Sequence, residues 1–351
     1  MKEYLIVCNN KDNYTALGYI EAFRGLSGVN LNILELKYDY ALLERILFKL
    51  IGFRFFVFTK KIENKLFDKL SQKNYDVIFL IKELHLKSNA YNKIKNMYPD
   101  ITISGMTYDY LGNNHTSSRN LIYSLKYYNI YFAPQKHYID YIKEKKCNRV
   151  RAVPFSVPNR LYDYAENLYK QKLDILYDVL VVANFEEDRA RQIEFLLENG
   201  IKVKLVGNNW WKAVKYKNIY SIKSTIRPMQ IEDVVKATIQ SRVTLAFLRK
   251  KEFDRVTART FEIPAFYGFM LHEHNEVVRS AFLRCGFVDF FKSKDELLEK
   301  VVNVISNYNE IKYNSLRLEA HKYIKNKGYL LNDNVKMIDK EINLFKEKNE
   351  S

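Results

Sequence analysis

The residues with the clearest chemical potential lie in one stretch, Asp254-Arg-Val-Thr-Ala-Arg-Thr-Phe-Glu262, which follows an apolar predicted strand. Thr260 is the predicted N-cap of a helix that begins inside this stretch. The free N–H groups of a helix start, beside the guanidinium groups of Arg255 and Arg259, would bind a diphosphate. The stretch therefore predicts a site for a phosphorylated ligand.

Glu262 has two interpretations. We place it in the first turn of that helix, because Pro264 is tolerated only early in a helix. There its carboxylate can accept hydrogen bonds from sugar hydroxyls, which is a binding role. The alternative is that Glu262 only complements the helix dipole while the neighbouring arginines are solvated, since acidic first turns are common.

Polar groups also follow other predicted strands. Arg189 comes just after the strand at 177–183, where a permanently charged guanidinium would stabilise a departing diphosphate. The alternative is an exposed arginine at a helix start. Asp109 opens a polar loop that includes His115, and this pair suits deprotonation of an acceptor hydroxyl. Loops also collect such residues for turn formation alone.

Other kinds of site lack their residue patterns. His272 and His274 lie close in sequence, but no third ligand follows at metal-site spacing, so no metal is expected. Three scattered cysteines, Cys8, Cys147 and Cys285, indicate a reducing cytoplasm rather than a disulfide framework. The sequence has no Walker loop, no G-x-S-x-G elbow and no G-x-G-x-x-G after its first strand, which argues against kinase, esterase and dinucleotide-dependent oxidoreductase functions.

Short apolar strands alternate with amphipathic helical patterns, which predicts an α/β fold with parallel sheets covered on both faces. The predicted strands are residues 4–8, 31–36, 76–81, 101–104, 129–133, 150–153, 177–183, 202–206, 242–248 and 268–271. The predicted helices are residues 15–26, 41–51, 88–97, 135–145, 187–199, 230–238, 260–267, 294–308, 315–325 and 334–346. Ligands of such sheets bind outside the carboxyl ends of the strands.

The chain divides near two prolines. Its 351 residues suffice for two domains, and with only 11 glycines and 6 prolines it has no long flexible linker. Pro154 and Pro158 interrupt the strand–helix alternation, and we place a junction there that extends to about residue 173. We predict two doubly wound Rossmann-like domains facing a cleft, at 1–160 and 161–330, followed by a last helix at 331–351.

The charge is strongly positive. An excess of 57 Lys and Arg over 41 Asp and Glu gives a net charge of +16, which favours polyanionic partners. Segment 45–61 mixes basic with large apolar residues and suits peripheral contact with an anionic membrane, or alternatively a buried helix and strand with basic flanks. No zinc finger, RNP block or compact basic helix supports nucleic-acid binding. No apolar run reaches the roughly 20 residues of a membrane span.

Residues 177–328 resemble the glycosyltransferase group 1 family, in particular its CgeB-like branch. Three motifs carry the resemblance, in the family's order: Leu180-Val-Val-Ala-Asn-Phe-Glu-Glu-Asp-Arg189, Gly207-Asn-Asn-Trp210 and Arg259-Thr-Phe-Glu-Ile-Pro-Ala-Phe-Tyr-Gly268. Phe266 and Tyr267 stand where the family prefers small residues, and their bulk either narrows a donor pocket or fills the core.

The resemblance implies the GT-B architecture, with a nucleotide-sugar on the C-terminal domain, an acceptor on the N-terminal domain and a last helix that crosses back to the N-terminal domain. By analogy with the family's E-x7-E pattern, Glu262 would bind the donor ribose and Asp254 would face the sugar or phosphates. The side chain of Asp254 is one methylene shorter than the glutamate that the family has at the first acidic position, which leaves the role of Asp254 less defined.

The family motifs assign further donor-binding positions by resemblance. These are Thr260, Asn184 and Gly207, with Lys223 and Ser224 where such enzymes hold the nucleobase. Arg189, Arg259, Asp254 and, on the acceptor side, Asp109 form the expected catalytic set.

The expected function is that of a cytoplasmic glycosyltransferase, retaining and metal-independent by analogy, that uses a UDP- or GDP-sugar and needs no further cofactor. The acceptor would be a glycan, a lipid-linked molecule or a protein, in cell-surface polysaccharide or glycoconjugate synthesis. Two alternatives stay open: a non-catalytic nucleotide- or carbohydrate-binding protein of the same fold, and a basic nucleic-acid-binding protein.

Overall fold

A computed structural model of the chain describes residues 1–9, 14–36, 46, 50, 56–113, 116–147 and 149–350. Contacts between residues divide the chain into two compact units. Unit 1 consists of Met1–Pro158 together with Leu331–Ser351, and unit 2 of Asn159–Leu330.

Unit 1 is built on a six-stranded sheet in which all neighbouring strands are parallel. Its strands are β1 (Lys2–Cys8), β2 (Val29–Glu35), β3 (Val77–Ile81), β4 (Thr102–Met106), β5 (Ile130–Ala133) and β6 (Val150–Ala152), in the order β2-β1-β3-β4-β5-β6. Strand β3 reads Val-Ile-Phe-Leu-Ile and is buried throughout, as expected when helices cover both faces of a parallel sheet. Each of these strands was predicted, with ends displaced by no more than two residues.

The described helices of unit 1 before its last one are α1 (Tyr14–Arg24), α2 (Phe56–Ser71), α3 (Ser88–Met97), α4 (Arg119–Ser124) and α5 (Lys136–Glu144). The sequence patterns did not predict α2 or α4. Helix α4 is too short to show a helical period, and it buries the polar residues Asn120 and Ser124. Most of the predicted helix at 41–51, and most of the basic, apolar segment at 45–61, lies outside the described residues.

Unit 2 is built on a five-stranded parallel sheet. Its strands are β7 (Tyr177–Val182), β8 (Val203–Val206), β9 (Ser241–Ala246), β10 (Met270–Glu273) and β11 (Val288–Phe291), in the order β11-β10-β9-β7-β8. The edge strand β11 was not predicted, because its four residues include Asp289 and are only partly buried.

Helices surround this second sheet. They are α6 (Asn159–Tyr169), α7 (Glu187–Glu198), α8 (Lys217–Ser221), α9 (Ile231–Ile239), α10 (Ala258–Ala265), α11 (Glu276–Ala281), α12 (Lys294–Ser306) and α13 (Glu310–Asn326). The stretch after Pro158 was predicted to be a junction without regular structure up to residue 173, which is wrong. It contains α6, whose residues Leu161, Ala165 and Leu168 form a buried helical stripe.

The strand order of both units is that of doubly wound Rossmann-like domains, which confirms the predicted fold class. In each unit the second strand lies on one side of the first strand, and the chain then returns to place the later strands on the other side. The reversal lies between β1 and β3 in unit 1 and between β7 and β9 in unit 2. Ligands bind in the crevice outside the carboxyl ends of the strands at such a reversal.

The last helix, α14 (Leu331–Glu350), belongs to the core of unit 1. Val335, Ile338 and Ile342 are fully buried in one apolar cluster with residues of α1 and β1. Hydrogen bonds join the same elements: the Tyr4 hydroxyl donates to Asp339 Oδ1 at 2.5 Å. Because these residues follow helical spacing, one face of α14 is wholly covered by unit 1.

No helix within the described ranges combines the length and the apolar composition that a membrane span requires.

Replacing Ile338 with alanine tests the contribution of α14 to unit 1. Ile338→Ala should lower the free energy of unfolding by about 3 kcal/mol, because it removes buried methyl groups and leaves a cavity. Leu344→Ala on the same helix is the control, since Leu344 is 39% exposed. Urea unfolding followed by far-UV circular dichroism measures the change, while the fluorescence of Trp210 and Trp211 follows unit 2. Equal losses in the two variants would contradict the packing described for α14.

Candidate functional site

Several charged side chains of unit 2 lie at the carboxyl ends of β7, β9 and β10. Arg189 lies in the first turn of α7, is only 6% exposed and donates to the backbone carbonyl of Asn184. Its guanidinium lies 3.9 Å from Glu186 Oε2 and 5.5 Å from the centre of the Phe247 ring. Burial lowers the pKa of Arg189, and the nearby carboxylates of Glu186 and Glu273 oppose that shift.

One nitrogen atom of the Arg189 guanidinium takes part in none of these hydrogen bonds. Within the described part of the chain, its buried Nε has no hydrogen-bond partner. An arginine is permanently charged and carries five N–H donors in a fixed fork. Arg189 therefore has one N–H donor without a partner among the described residues. It lies at the carboxyl end of β7, which is one of the two strands at the reversal of the sheet.

Asn184 and Gly207 shape the loops beside Arg189. Asn184 Oδ1 accepts a hydrogen bond from the backbone N–H of Asn208 at 3.0 Å. Gly207 has φ = +144°, and a Cβ there would lie 2.0 Å from the carbonyl oxygen of Ala183. Only glycine permits this approach of the two loops. The indole of Trp210 donates to the same Ala183 carbonyl at 2.8 Å, so this tryptophan anchors the loop.

The loop after β9 holds a buried ion pair. The side chain of Asp254 is fully buried and accepts a hydrogen bond from Arg249 Nε at 2.5 Å. The carboxylate of Glu273, at the end of β10, accepts from the backbone N–H of Leu248 at 3.0 Å. The Arg249–Asp254 pair and Glu273 thus lie at the carboxyl edge of the sheet, and the charges of Arg249 and Glu273 act on Arg189 there.

The start of α10 differs from the prediction. The N-cap is Thr257, not Thr260, because Ala258 already has helical backbone geometry. Thr260 is the third residue of the helix, where its hydroxyl accepts from the backbone N–H of Thr257 at 3.2 Å in a capping box. A threonine at either position satisfies the pattern that the sequence shows, so the pattern could not distinguish them.

A buried histidine connects α10 to β10. The Thr260 hydroxyl lies 3.0 Å from His272 Nε2, and His272 Nδ1 lies 2.6 Å from the carbonyl oxygen of Glu273. A carbonyl can only accept, so Nδ1 carries the proton and Nε2 accepts from Thr260. Burial lowers the pKa of His272 to about 4, which keeps the ring neutral.

Glu262 is 2% exposed and forms an ion pair with Arg259. Its predicted place in the first turn is wrong, because α10 begins two residues earlier than predicted and Glu262 is its fifth residue. Pro264 consequently lies near the end of the helix rather than its beginning. The helix ends one residue later, where the backbone N–H of Phe266 caps the carbonyls of Glu262 and Ile263.

The two bulky residues before Gly268 belong to the core of unit 2. Phe266 and Tyr267 are 1% and 3% exposed. The Tyr267 ring stacks on Tyr169 at 3.9 Å and on His321 at 4.1 Å. Of the two interpretations left open by the sequence, filling the core is the one that the structure supports.

Lys223 and Ser224 lie on an exposed 3-10 helix, Lys223–Thr225. The ammonium of Lys223 lies 3.2 Å above the centre of the Tyr220 ring, a cation–π contact. The structure therefore places this predicted base-binding pair at the surface of unit 2.

In unit 1 the predicted residue Asp109 follows β4 and forms an ion pair with Lys82, which follows β3. Lys82 also lies 5.3 Å from the centre of the Tyr108 ring. Burial raises the pKa of the Tyr108 hydroxyl, and the charge of Asp109 adds to this effect. His115, the other residue predicted on this loop, lies outside the described residues.

Two residues of unit 1 were not predicted. Glu83 and His85 follow β3 and are 1% and 2% exposed. One Glu83 carboxylate oxygen lies 3.1 Å from His85 Nδ1, and the carboxylate accepts from the backbone N–H of His85 and Leu86. The sequence could have indicated these two residues, since an acid and a histidine follow closely after the most apolar predicted strand.

Arg249 and Glu273 were also missed as site residues in unit 2. The predicted strand at 268–271 ended two residues early, so Glu273 was not recognised as the end of a strand. Among the described residues, no group of three or more His, Cys, Asp or Glu side chains is placed to hold a metal ion.

Part of the chain matches a family model. Residues 188–329, which lie within unit 2, match the family described as "Glycosyl transferase-like". No curated protein is similar enough in sequence to match the chain.

Solved structures resemble the whole chain. A glycosyltransferase from Rickettsia africae ESF-5 is 13% identical, with a TM-score of 0.62 over 99% of this chain and 98% of that one. HepE of Anabaena, in complex with UDP, is 11% identical, with a TM-score of 0.59 over 98% and 100%. The UDP-GlcNAc 2-epimerase of Neisseria meningitidis, bound to UDP-GlcNAc, is 13% identical, with a TM-score of 0.58 over 98% and 100%. These likenesses show a two-domain Rossmann-like GT-B fold.

The buried His272 predicts a pH dependence of stability. Its pKa is about 4 in the folded protein and about 6.5 when exposed, so between these values only the unfolded chain takes up a proton. Stability is retained above pH 6.5 and falls as the pH drops toward 4, with a loss of about 2 kcal/mol by pH 5.

His272→Gln isolates this effect, because glutamine offers a donor and an acceptor but does not titrate. Urea unfolding followed by tryptophan fluorescence at pH 7.5 and pH 5.0 should show a smaller loss in the variant than in the native protein. His321, whose pKa burial also lowers to about 4, is present in both proteins and cancels in the comparison. The same loss in both would contradict a neutral, buried His272.

Proposed function

We propose that this protein is a glycosyltransferase that takes a sugar from a nucleotide-sugar held on unit 2. The observation that carries the proposal is the gathering of Arg189, the Arg249–Asp254 pair and the Arg259–Glu262 pair around the reversal of the unit 2 sheet. All of these residues lie in the range that matches the glycosyltransferase-like family. We further propose membership of the CgeB-like branch, on the three motifs of the sequence.

The donor diphosphate is assigned to Arg189, Arg259 and the start of α10. The first N–H groups of a helix have no carbonyl partner within it, and the helix dipole favours negative charge there. Arg189 has an unpartnered Nε among the described residues, and Arg259 keeps 27% of its side chain exposed. Together these donors would stabilise the charge that develops on the leaving diphosphate. On this proposal the reaction needs neither a metal ion nor a further cofactor.

The sugars of the donor are assigned to the two buried acids. Glu262 would accept hydrogen bonds from the ribose hydroxyls, and its ion pair with Arg259 holds the carboxylate in place. Asp254, held by Arg249, would face the transferred sugar or the phosphates. Retention of the anomeric configuration is proposed by analogy with the acidic pair of the related family.

The remaining donor contacts are assigned to the loops. Asn184 and Gly207 would border the donor beside β7 and β8, where the absent side chain at 207 lets the backbone approach closely. Thr260 would act through its hydrogen bond to His272, which positions the helix. Lys223 and Ser224 are exposed, and we propose that they approach the nucleobase only when the nucleotide is bound.

The acceptor is assigned to unit 1, on the loops after β3 and β4. Asp109 is paired with Lys82, which fixes its carboxylate, and we propose that this carboxylate orients an acceptor hydroxyl. Glu83 and His85 lie on the adjoining loop and hold its backbone in place. A glycan, a lipid-linked saccharide or a glycosylated protein would fit this role, as in the synthesis of a cell-surface polysaccharide.

Two other functions share this fold, and one assay separates them. A non-catalytic binding protein would bind a nucleotide without turnover, and an epimerase is suggested by the likeness to the UDP-GlcNAc 2-epimerase. The purified protein is incubated with UDP- and GDP-sugars, with and without cell-surface glycan as acceptor, and the products are separated by chromatography. Release of UDP or GDP that rises with acceptor supports transfer. Formation of an epimerised donor sugar would replace the proposal with an epimerase. Nucleotide binding without release of UDP or GDP would replace it with a non-catalytic binding protein.

Glu262→Ala should weaken binding of the preferred nucleotide, UDP or GDP, by about tenfold or more, because hydrogen bonds to a charged group are among the stronger ones. Glu276→Ala is the matched control, since Glu276 starts the neighbouring helix α11 and its side chain is 69% exposed. Isothermal titration of nucleotide into each variant measures the effect. Unchanged affinity in Glu262→Ala would remove the ribose role.

Arg189→Lys should lower the rate of nucleotide release by about tenfold or more, because lysine keeps the charge but loses the planar fork of donors. Arg191→Lys is the control: it lies on the same helix with 63% of its side chain exposed. Initial rates and melting temperatures are measured together. If Arg189→Lys melts much earlier than the control while its rate per folded molecule is normal, Arg189 serves only the fold of unit 2.

A further inference from the structure

Unit 1 contains a cavity of about 770 Å³ that none of the residues discussed above lines. It is lined by the start of α3, by three residues of α4 (Arg119, Ile122 and Tyr123) and by the C-terminal end of α5. A volume of this size accommodates a ligand of one or two sugar rings.

The walls of this cavity are strongly cationic. Four basic residues line it against a single acid, Glu144: Arg119, Lys126, Lys145 and Lys146. Lys145 Nζ lies 4.9 Å from the centre of the Tyr141 ring, and Lys126 Nζ lies 5.1 Å from that of Tyr127. Ammonium groups brought together in a concave site attract an anion, because low-dielectric walls focus their field.

Two polar features of the cavity point to a ligand independently of the lysines. Ser117 is 3% exposed, and its buried hydroxyl has no hydrogen-bond partner within the described residues. The next residue, Ser118, is different: its hydroxyl donates to the Leu84 carbonyl and accepts from the N–H of Leu121. A buried hydroxyl without a partner is unfavourable, and a ligand that pairs with it would remove that penalty.

The second feature is the start of α3. Ser88, its first residue, lines the cavity. The N-cap residue Lys87 makes no capping hydrogen bond with its side chain, and the first turn carries no acid. The helix dipole at Ser88 therefore adds to the attraction for an anion.

Aromatic side chains complete the cavity. Tyr123 is 58% exposed and Tyr141 half-buried, and both line it beside the apolar side chain of Ile122. Tyrosine rings offer a flat apolar face with a polar tip, a surface on which a sugar ring can pack. The cavity thus combines groups for phosphate, for hydroxyls and for a ring.

We infer that this cavity binds a phosphorylated saccharide, with the phosphate between Lys126, Lys145 and the start of α3, and the sugar against the tyrosines. The inference rests on the proposed function in one respect: if the protein is a glycosyltransferase, this ligand is part of its acceptor. The phosphate monoester or diester is the shared chemistry, and it comes either from a free sugar phosphate or from a lipid headgroup that carries the saccharide.

The test is direct binding, which does not depend on turnover. Glucose 1-phosphate, glucose and inorganic phosphate are titrated calorimetrically into the full-length protein, and phosphatidylcholine vesicles with and without phosphatidic acid are tested by sedimentation. Glucose 1-phosphate should bind more tightly than either glucose or inorganic phosphate. Selective sedimentation with phosphatidic acid identifies a lipid headgroup as the source, and its absence identifies a free sugar phosphate.

Three variants locate the site. The double variant Lys126→Gln, Lys145→Gln should weaken glucose 1-phosphate binding by about tenfold or more, since it removes two charge-assisted contacts. Ser117→Ala should weaken binding without lowering stability, because the hydroxyl has no protein partner to lose among the described residues. Lys143→Gln is the matched control: it removes one charge from the last turn of α5 but does not line the cavity.

Titration of UDP and GDP into the same variants reports on unit 2 separately. Unchanged nucleotide binding with weakened glucose 1-phosphate binding in the double variant supports the inference. It is overturned if glucose 1-phosphate does not bind, or if Lys143→Gln weakens binding as much as the double variant, which would indicate diffuse surface charge. If the native protein binds neither UDP nor GDP, the proposed function is refuted, whereas the result for glucose 1-phosphate at the cavity is unaffected.

Discussion

The hydrogen-bond chain from Thr257 through Thr260 and His272 to the Glu273 carbonyl is the interaction on which the unit 2 site depends. Each member has one possible direction of donation, because the carbonyl at its end can only accept. The chain therefore sets how α10 is rotated against the end of β10. Arg259 and Glu262 are carried on that helix, and so their positions follow from a neutral histidine buried behind them.

Burial of ionised groups limits how such a site can be assembled. A charge removed from water without a partner costs several kcal/mol, and removing one member of a buried pair leaves the other uncompensated. Asp254 and Glu262 are buried, and each has an arginine beside it. Arg189 is buried with carboxylates nearby. The cavity of unit 1 differs, because its cationic groups lie at the surface, where water stabilises them and a ligand anion can compete.

The fold does not itself decide the reaction. Solved structures with 8–13% identity to this chain include both sugar-transferring enzymes and epimerases. What they share with it is the arrangement of parallel strands, whose reversal leaves a crevice at the carboxyl edge. The reaction depends on which side chains the loops bring to that edge. In this chain, arginine–carboxylate pairs and a glycine at 207 occupy it.

The sequence alone determined the two parallel sheets, because strands buried on both faces must be continuously apolar and the helices between them must be amphipathic. It also indicated Arg189, which follows an apolar strand, whereas Asp254 and Glu262 were indicated by the resemblance of their stretch to a family motif. Short or edge elements such as α4 and β11 could not be predicted, because four to six residues are too few to reveal a helical or strand periodicity of apolar residues. Only the tertiary structure decided that Thr257 rather than Thr260 caps α10, that Tyr267 stacks in the core, and that Glu273 lies near Arg189. Those outcomes depend on contacts between residues far apart in the chain, about which local patterns carry no information.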